Sequence, residues 1–441
     1  MPDGDENDGD GGDGGDGGDF ICRTHAAIGE ISSHHWDACA GTDNPFVSYA
    51  FLKALEDSGS VRAETGWMPH HLVLENGAGD ITACAPLYVK SHSHGEYVFD
   101  FSWADAYQRA GGNYYPKLLC AVPFTPATGP RLLVRPIPDF TPNSSGVTAP
   151  DSAAALARAM IAVAEQTGVS SLHVAFPSES QSRMLESEGF LTRMGFQYMW
   201  NNRGYGDFED FLGDLASRKR KAVRKERREA QADGLEVEVL TGADITESHW
   251  DAFYKFYLNT IEDKSAYAYL TRDFFSLIGA AMGERVVLVM ARQGRDYVAG
   301  ALNLQGSNTL YGRYWGCDES WGCENMHKFL HFELCYYRAI DFAIDHGLMR
   351  VEAGAQGHHK ISRGYLPHST WSAHWFNSHG FAGAVGEFVA AERVAMEEDM
   401  RTLMGRSPFS SASASAAAPI RATDPSPQRG QNRANDGDDG D

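Results

Sequence analysis

Residues 286–316 read VVLVMARQGRDYVAGALNLQGSNTLYGRYWG. Strand-like runs broken by Gly-containing turns predict three successive strands here, at 286–291, 297–305 and 309–315. Downstream, a helix is expected from His327 to His346, then a strand at Arg350–Glu352, a polar loop and a strand at His374–Phe376. Upstream, the stripe Phe208, Phe211, Leu212, Leu215, Ala222 and Val223 predicts one long helix from Phe208 to Ala232. A strand at Leu235–Leu240 and helices at His249–Thr260 and Asp273–Met282 follow it. The first half has the same order: helical segments within Ser32–Ser58, strands at His71–Glu75, Ile81–Lys90 and Tyr97–Phe101, an Ala-rich helix at Asp151–Thr167, and strands at Ser171–Phe176 and Phe190–Trp200. Helices, an antiparallel meander, a helix and a further strand therefore occur twice. The expected fold class is α/β (α+β), two tandem domains with mixed, largely antiparallel sheets, at 20–205 and 206–404.

Composition bounds what such a chain does. A length of 441 residues suits two domains, and 43% hydrophobic with 11% aromatic residues is the content of a folded protein. Residues 1–19 repeat Gly-Gly-Asp with Met1 as their one apolar side chain, and 405–441 is rich in Ser, Ala, Pro and Asp. Both segments are expected to be disordered acidic tails. The seven cysteines are scattered with no Cys-x-x-Cys pair, which suits a reducing cytosol and argues against a zinc ribbon. An acidic start in place of a signal peptide, and no apolar run of about 20 residues, lead to a cytoplasmic expectation without a membrane span. The net charge is −21, of which 1–19 contributes −8, 405–441 contributes −1 and the body −12. That balance opposes nonspecific nucleic-acid binding, and no DNA partner is expected.

Four segments carry more polar and aromatic residues than a core needs. In the first, 95–117, Asp100, Trp103, Tyr114 and Lys117 are candidates to line a cleft for a sugar, peptide or amine; the plain alternative is an aromatic sheet edge. The second, Ser217 to Glu229, holds eight basic and two acidic residues, with Arg220, Arg224 and Arg227 at helical spacing. Together with Arg218 these are candidate phosphate ligands, because guanidinium groups offer paired donors. The third joins Arg313 and Tyr314, on the last meander strand, to His331 and Glu333 on the next helix. His327 and His331 lie four apart, but Lys328 stands where a zinc-protease helix needs Glu, so no metal is expected. The fourth, 351–367, places Glu352 at a strand end and Gln356, His359, Lys360 and Arg363 in a loop with two glycines. It is the principal active-site candidate, with His359, Lys360, Glu352 and Tyr314 as catalytic residues.

Taken together, these segments resemble the FemAB-like group of predicted N-acyltransferases, named for peptidoglycan biosynthesis or recognition. The resemblance runs from Trp36 through Gly95-Glu96-Tyr97-Val98-Phe99-Asp100, Tyr114-Tyr115-Pro116-Lys117 and Pro123-Phe124-Thr125-Pro126 to the basic helix. It continues through Gly312-Arg313-Tyr314-Trp315-Gly316 and His331-Phe332-Glu333 to Gly354-Ala355-Gln356-Gly357 and His359-Lys360. The repeated order of elements is likewise similar to that of a GNAT domain. The resemblance implies tandem GNAT-like domains and acyl or aminoacyl transfer to an amine, with acetyl-CoA or aminoacyl-tRNA as donor and a small-molecule or peptide amine as acceptor. Two departures stand out. Cys317 to Met326, where GNAT folds cradle a pyrophosphate, offers only Gly322, and Gly357-His358-His359-Lys360 replaces an expected Gly-Glu-His-Lys.

The expected chemistry is attack of a neutral amine on an activated carbonyl. His359 or Glu352 would accept the proton, Lys360 and Arg363 would stabilise negative charge, and Tyr311 or Tyr314 would protonate the leaving group. Arg218, Arg220 and Arg224 would hold the phosphates. A binding module for a cell-wall precursor or peptide is the alternative, and an RNA-binding protein built on the basic helix is a third.

Overall fold

The computed structural model of this chain describes residues 20–136, 149–232, 234–263, 267–318, 328–355 and 357–410. The first half contributes strands β1 (Ile21–His25), β2 (Trp67–Pro69), β3 (His71–Glu75), β4 (Ile81–Ala85), β5 (Leu87–Lys90), β6 (Lys117–Cys120), β7 (Leu133–Val134), β8 (Ser171–Ala175) and β9 (Leu191–Asn201). The second half adds β10 (Leu235–Thr241), β11 (Val286–Gln293), β12 (Asp296–Gln305), β13 (Thr309–Cys317), β14 (Arg350–Glu352) and β15 (Leu366–Phe376). A four-stranded sheet runs β1-β3-β4-β7, and an eleven-stranded one runs β10-β11-β12-β13-β14-β9-β15-β8-β6-β5-β2.

Two parallel contacts organise the large sheet. β13 pairs with β14 from Thr309↔Arg350 to Tyr311↔Glu352, and β6 pairs with β8 from Leu118↔Leu172 to Cys120↔Val174. Parallel neighbours require a crossover. In the first half it carries the helix Ala149–Thr167; in the second it carries a helix whose consecutive segments are Leu330–Phe332, Glu333–Tyr337 in π form and Arg338–Asp345. Meander, crossover helix and parallel strand thus recur, and the fold is a tandem of GNAT-like units with mixed, mainly antiparallel strands.

The units exchange strands. β15 lies between β9 and β8, in register from Leu366↔Met199 to His374↔Leu191 on one side and from Ser372↔Ala175 to Phe376↔Ser171 on the other. β9 in turn pairs with β14. The core is shared as well: Phe46 packs on Tyr311 with ring centroids 5.0 Å apart, and Phe51 on Phe274 at 5.7 Å. We therefore propose that the division after residue 205 separates topological halves, because cutting there parts β15 from both its neighbours.

Several elements differ from the sequence reading. The basic helix is two, Phe208–Asp214 and Ser217–Ala230, broken where Leu215 bridges to Phe409 and Ala216 N–H donates to the Pro408 carbonyl at 2.9 Å. Residues 407–410, read as tail, are held there. Residues 97–100 form no strand; a helix spans Phe101–Arg109 instead. The helix His379–Met404 escaped the reading because it buries only Val385, Val389 and Leu403 and so shows little apolar stripe. Gly316 is required by a close approach: a Cβ there would lie 2.1 Å from the Phe256 carbonyl oxygen of the helix Glu247–Asp263. Residues 1–19 and 411–441, the segment 319–327 and Gln356 lie outside the described residues.

Candidate functional site

The sequence-derived residues separate into three neighbourhoods. At the end of the β13–β14 pair, Glu352 stands beside Tyr311 in register and is buried. Burial pushes its carboxyl up to about 7, against the opposing pull of Arg350 and Arg313. Arg313 donates to the Phe124 carbonyl at 2.7 Å, and the Tyr314 hydroxyl donates to the same oxygen at 3.2 Å. Phe124 belongs to Pro123-Phe124-Thr125-Pro126 and has φ 57°, so β13 of the second half holds a strained turn of the first. Burial raises the Tyr314 phenol well above its ordinary range.

A pH test follows from Glu352. Its folded value near 7 exceeds its ordinary 4.5, so the native state binds the extra proton and wild-type stability falls as pH rises from about 4.5 through 7. Glu352→Gln is therefore expected to match wild type at pH 4 and exceed it by about 2–3 kcal/mol at pH 8, by denaturant midpoints. Parallel pH profiles for the two proteins would mean that Glu352 is not held neutral by the fold.

The second neighbourhood is the loop after β14. A 3₁₀ turn, His358–Arg363, is framed by Gly357 at φ 94° and Gly364 at φ 91°, both in the region that favours glycine. Lys360 is 4% exposed, and its ammonium donates to the carbonyls of Ala353 and Gly354. Burial lowers it to about 8. His359 is exposed, with Nε2 3.1 Å from the Tyr336 hydroxyl and its ring against Phe332 and His331, centroids 5.2 and 6.2 Å away. Partial burial and the cations Arg363 and Lys360 push its pKa below 6.5, so it is a neutral imidazole at neutral pH. His358, the residue in the expected acidic position, sets Nδ1 3.0 Å from the Tyr198 hydroxyl. Arg363 donates to Glu226 at 2.8 and 3.1 Å and lies 3.4 Å over the Phe332 ring.

The basic helix joins this neighbourhood differently from its helical spacing. Arg220 donates to the carbonyls of Gly213 and Leu215, Arg224 pairs with Glu209, and Arg227 pairs with Glu333 and Asp341. Arg220 and Arg227 therefore serve the fold, and so does Glu333, which also accepts from Gln231 at 3.0 Å, whereas the Arg224–Glu209 pair is exposed. The helix face turned to the loop instead combines Arg218 and Lys219 with Ser362 and Arg363 around a groove of about 380 Å³.

The third neighbourhood is interior. Asp100, Trp103, Tyr114 and Lys117 are all buried and line no open cleft. Lys117 donates to Ser93 and Glu96 at 2.8 Å each and also to Asp100, whose carboxylate accepts from Tyr114 at 2.7 Å. The chain continues from Tyr114 to His173 at 3.2 Å and from His173 to His374 at 2.8 Å. Burial alone would raise the Asp100 carboxyl, but chiefly the Lys117 ammonium holds it well below the usual carboxylate range. The sequence reading missed both histidines. The available signal was their place within buried strands, since a buried imidazole requires hydrogen-bond partners. Among the described residues no group of three or more His, Cys, Asp or Glu is placed to hold a metal, and no helix is long and apolar enough to cross a membrane.

Two GNAT-like units with exchanged strands and a polar loop at a parallel strand end define a class of protein. Its family follows from comparison: the profile of the FemAB-like family, described as peptidoglycan biosynthesis/recognition, matches residues 27–411, and the chain belongs to that family. Among solved structures, FemX is similar at 10% identity and a TM-score of 0.49, over 83% of this chain and 100% of that one. The C-terminal domain of a putative lysylphosphatidylglycerol synthetase from Agrobacterium fabrum is similar at 10% identity and 0.48, over 81% and 96%. A tandem GNAT protein from the clavulanic acid biosynthesis pathway is similar at 10% and 0.40, over 82% and 99%. No curated protein matches.

Proposed function

We propose that this chain is an N-acyltransferase that moves an acyl or aminoacyl group from an activated donor to an amine, the amine being carried by a cell-wall precursor or peptide. Family membership supports the class. The observation that carries the reading is His359: an imidazole kept neutral by partial burial and adjacent cations, 3.1 Å from the Tyr336 hydroxyl and near a groove lined by Arg218 and Lys219. A neutral imidazole takes the proton that an attacking amine must lose. Arg218 and Lys219 in the groove, which Arg363 and its partner Glu226 also line, suit the phosphates of coenzyme A or of a tRNA end. Lys360, anchored on the carbonyls of Ala353 and Gly354, places positive charge where the β14 strand ends.

Calorimetric titration of the full-length protein with acetyl-CoA, followed by a transfer assay with aminoacyl-tRNA, tests the donor. One-to-one saturable binding of acetyl-CoA is expected if coenzyme A is the donor; silence there with transfer from tRNA assigns the other. Binding of a peptide amine without transfer from either donor would replace this reading with that of a recognition module.

A further inference from the structure

The interior chain of the first half ends on a hydroxyl. Its direction can be worked out proton by proton. Tyr114 donates its one hydroxyl proton to Asp100 at 2.7 Å. Ser170 donates to the Tyr114 carbonyl, so the proton in the 3.1 Å contact between Ser170 and Ser171 comes from Ser171. The oxygens of Tyr114 and Ser171 therefore both face His173 Nε2, at 3.2 and 2.9 Å, as acceptors, and Nε2 carries the proton. Burial and the nearby Lys117 take His173 down to about 3, so it is neutral and its Nδ1 is a lone pair. His374 Nδ1, 2.8 Å away, must supply the proton there. His374 Nε2 is left as the acceptor for the Ser372 hydroxyl at 2.9 Å.

Ser372 and Thr370 sit on one face of β15, opposite Arg193 and Gly195 of β9. These four residues lie along a cavity of about 150 Å³ that Phe99 and Met396 also line. Arg193 is fixed at the wall, donating to both carboxylate oxygens of Glu392 at 2.7 Å and to the Phe99 carbonyl at 2.8 Å. Outside, Phe99 and Phe101 stack with centroids 6.4 Å apart and remain 65% and 45% exposed. A hydroxyl with a base, a base with an orienting partner, and an apolar approach are the parts of an activated nucleophile.

We propose that Ser372 is a reactive hydroxyl, and that its cavity takes the acyl group of an activated ester or thioester. Ser372 Oγ bonds to the carbonyl carbon, and its proton passes to His374 Nε2. The C–O or C–S bond of the donor breaks, and the same proton leaves on the departing alcohol or thiol. The product is an O-acyl serine. His173 and Asp100 are positioning residues: His173 Nδ1 accepts the His374 Nδ1 proton, and Asp100 fixes the Tyr114 hydroxyl that accepts from His173 Nε2. The site is independent of the His359 loop.

The test is to incubate the full-length protein with an alkyl fluorophosphonate. Phosphorus would bond to Ser372 Oγ, fluoride would leave, and the proton would go to His374. Peptide mass mapping of wild type is expected to place one adduct on Ser372, with labelling slowed by competing p-nitrophenyl butyrate. Ser372→Ala should take no adduct, and His374→Gln should label at least about a hundredfold more slowly. An adduct on another residue, none at all on wild type, or His374→Gln labelling at the wild-type rate would overturn the proposal; the wild-type mapping does not depend on any variant folding.

Discussion

Lys117→Met is expected to destabilise the protein by about 3–5 kcal/mol at neutral pH, the cost of leaving a buried charge without its partner. Lys117 is fully buried, and its ammonium meets Ser93, Glu96 and Asp100. Burial alone would lower its pKa, but the two carboxylates raise it, so the amine stays charged. Glu96, pushed up to about 7 by burial against the pull of Lys117, would escape by protonation; Asp100, held low chiefly by Lys117, would not do so cheaply. Without Lys117, burial is left to raise both acids, opposed at Glu96 only by Lys90 at 3.9 Å. The deficit should therefore be small in mild acid and grow as pH rises, the sign of a raised acid. Adding Asp100→Asn should restore part of the loss, since it removes the stranded charge. Thermal melts of wild type, single and double variants at pH 5 and pH 8 decide the matter. A single variant as stable as wild type at pH 8 would show that the interior chain contributes no net charge pairing.

His359→Ala is expected to lower kcat/KM for acyl transfer by about a hundredfold, within the range of a lost general base. Because the pKa of His359 lies below 6.5, wild type should hold a plateau at neutral pH and lose activity only in acid, as the imidazole protonates. That acid limb should disappear in the variant, which separates loss of a base from loss of structure. Lys360→Met should cost at least about tenfold, roughly 1.4 kcal/mol of transition-state stabilisation. Unchanged turnover in both variants would remove the loop from the catalytic account and leave the groove as a binding surface.

Much of this was legible locally. The meander β11–β13 announces itself because each strand's partner follows within a turn, and the helix Ala149–Thr167 because its stripe is continuous. The FemAB-like strings and the loop after β14 were readable for the same reason: their residue types cluster in sequence. Charge partnership was harder to read. Arg227 of the basic helix looks like a phosphate ligand until Glu333 and Asp341 arrive from other helices. Asp100, Trp103, Tyr114 and Lys117 likewise looked like cleft residues until the fold closed over them.

Short-range pattern carries the family, the β11–β13 meander and the clustered residues of the loop that holds His359 and Lys360. Packing sets β15 into the sheet of the first half, brings His173 to His374 across 201 residues, and turns Arg218 and Lys219 to the groove. The difference is one of range: hydrophobic period and turn chemistry act over a few residues. Strand insertion and the pairing of buried charge are settled by whichever distant groups the packed core brings within hydrogen-bond distance.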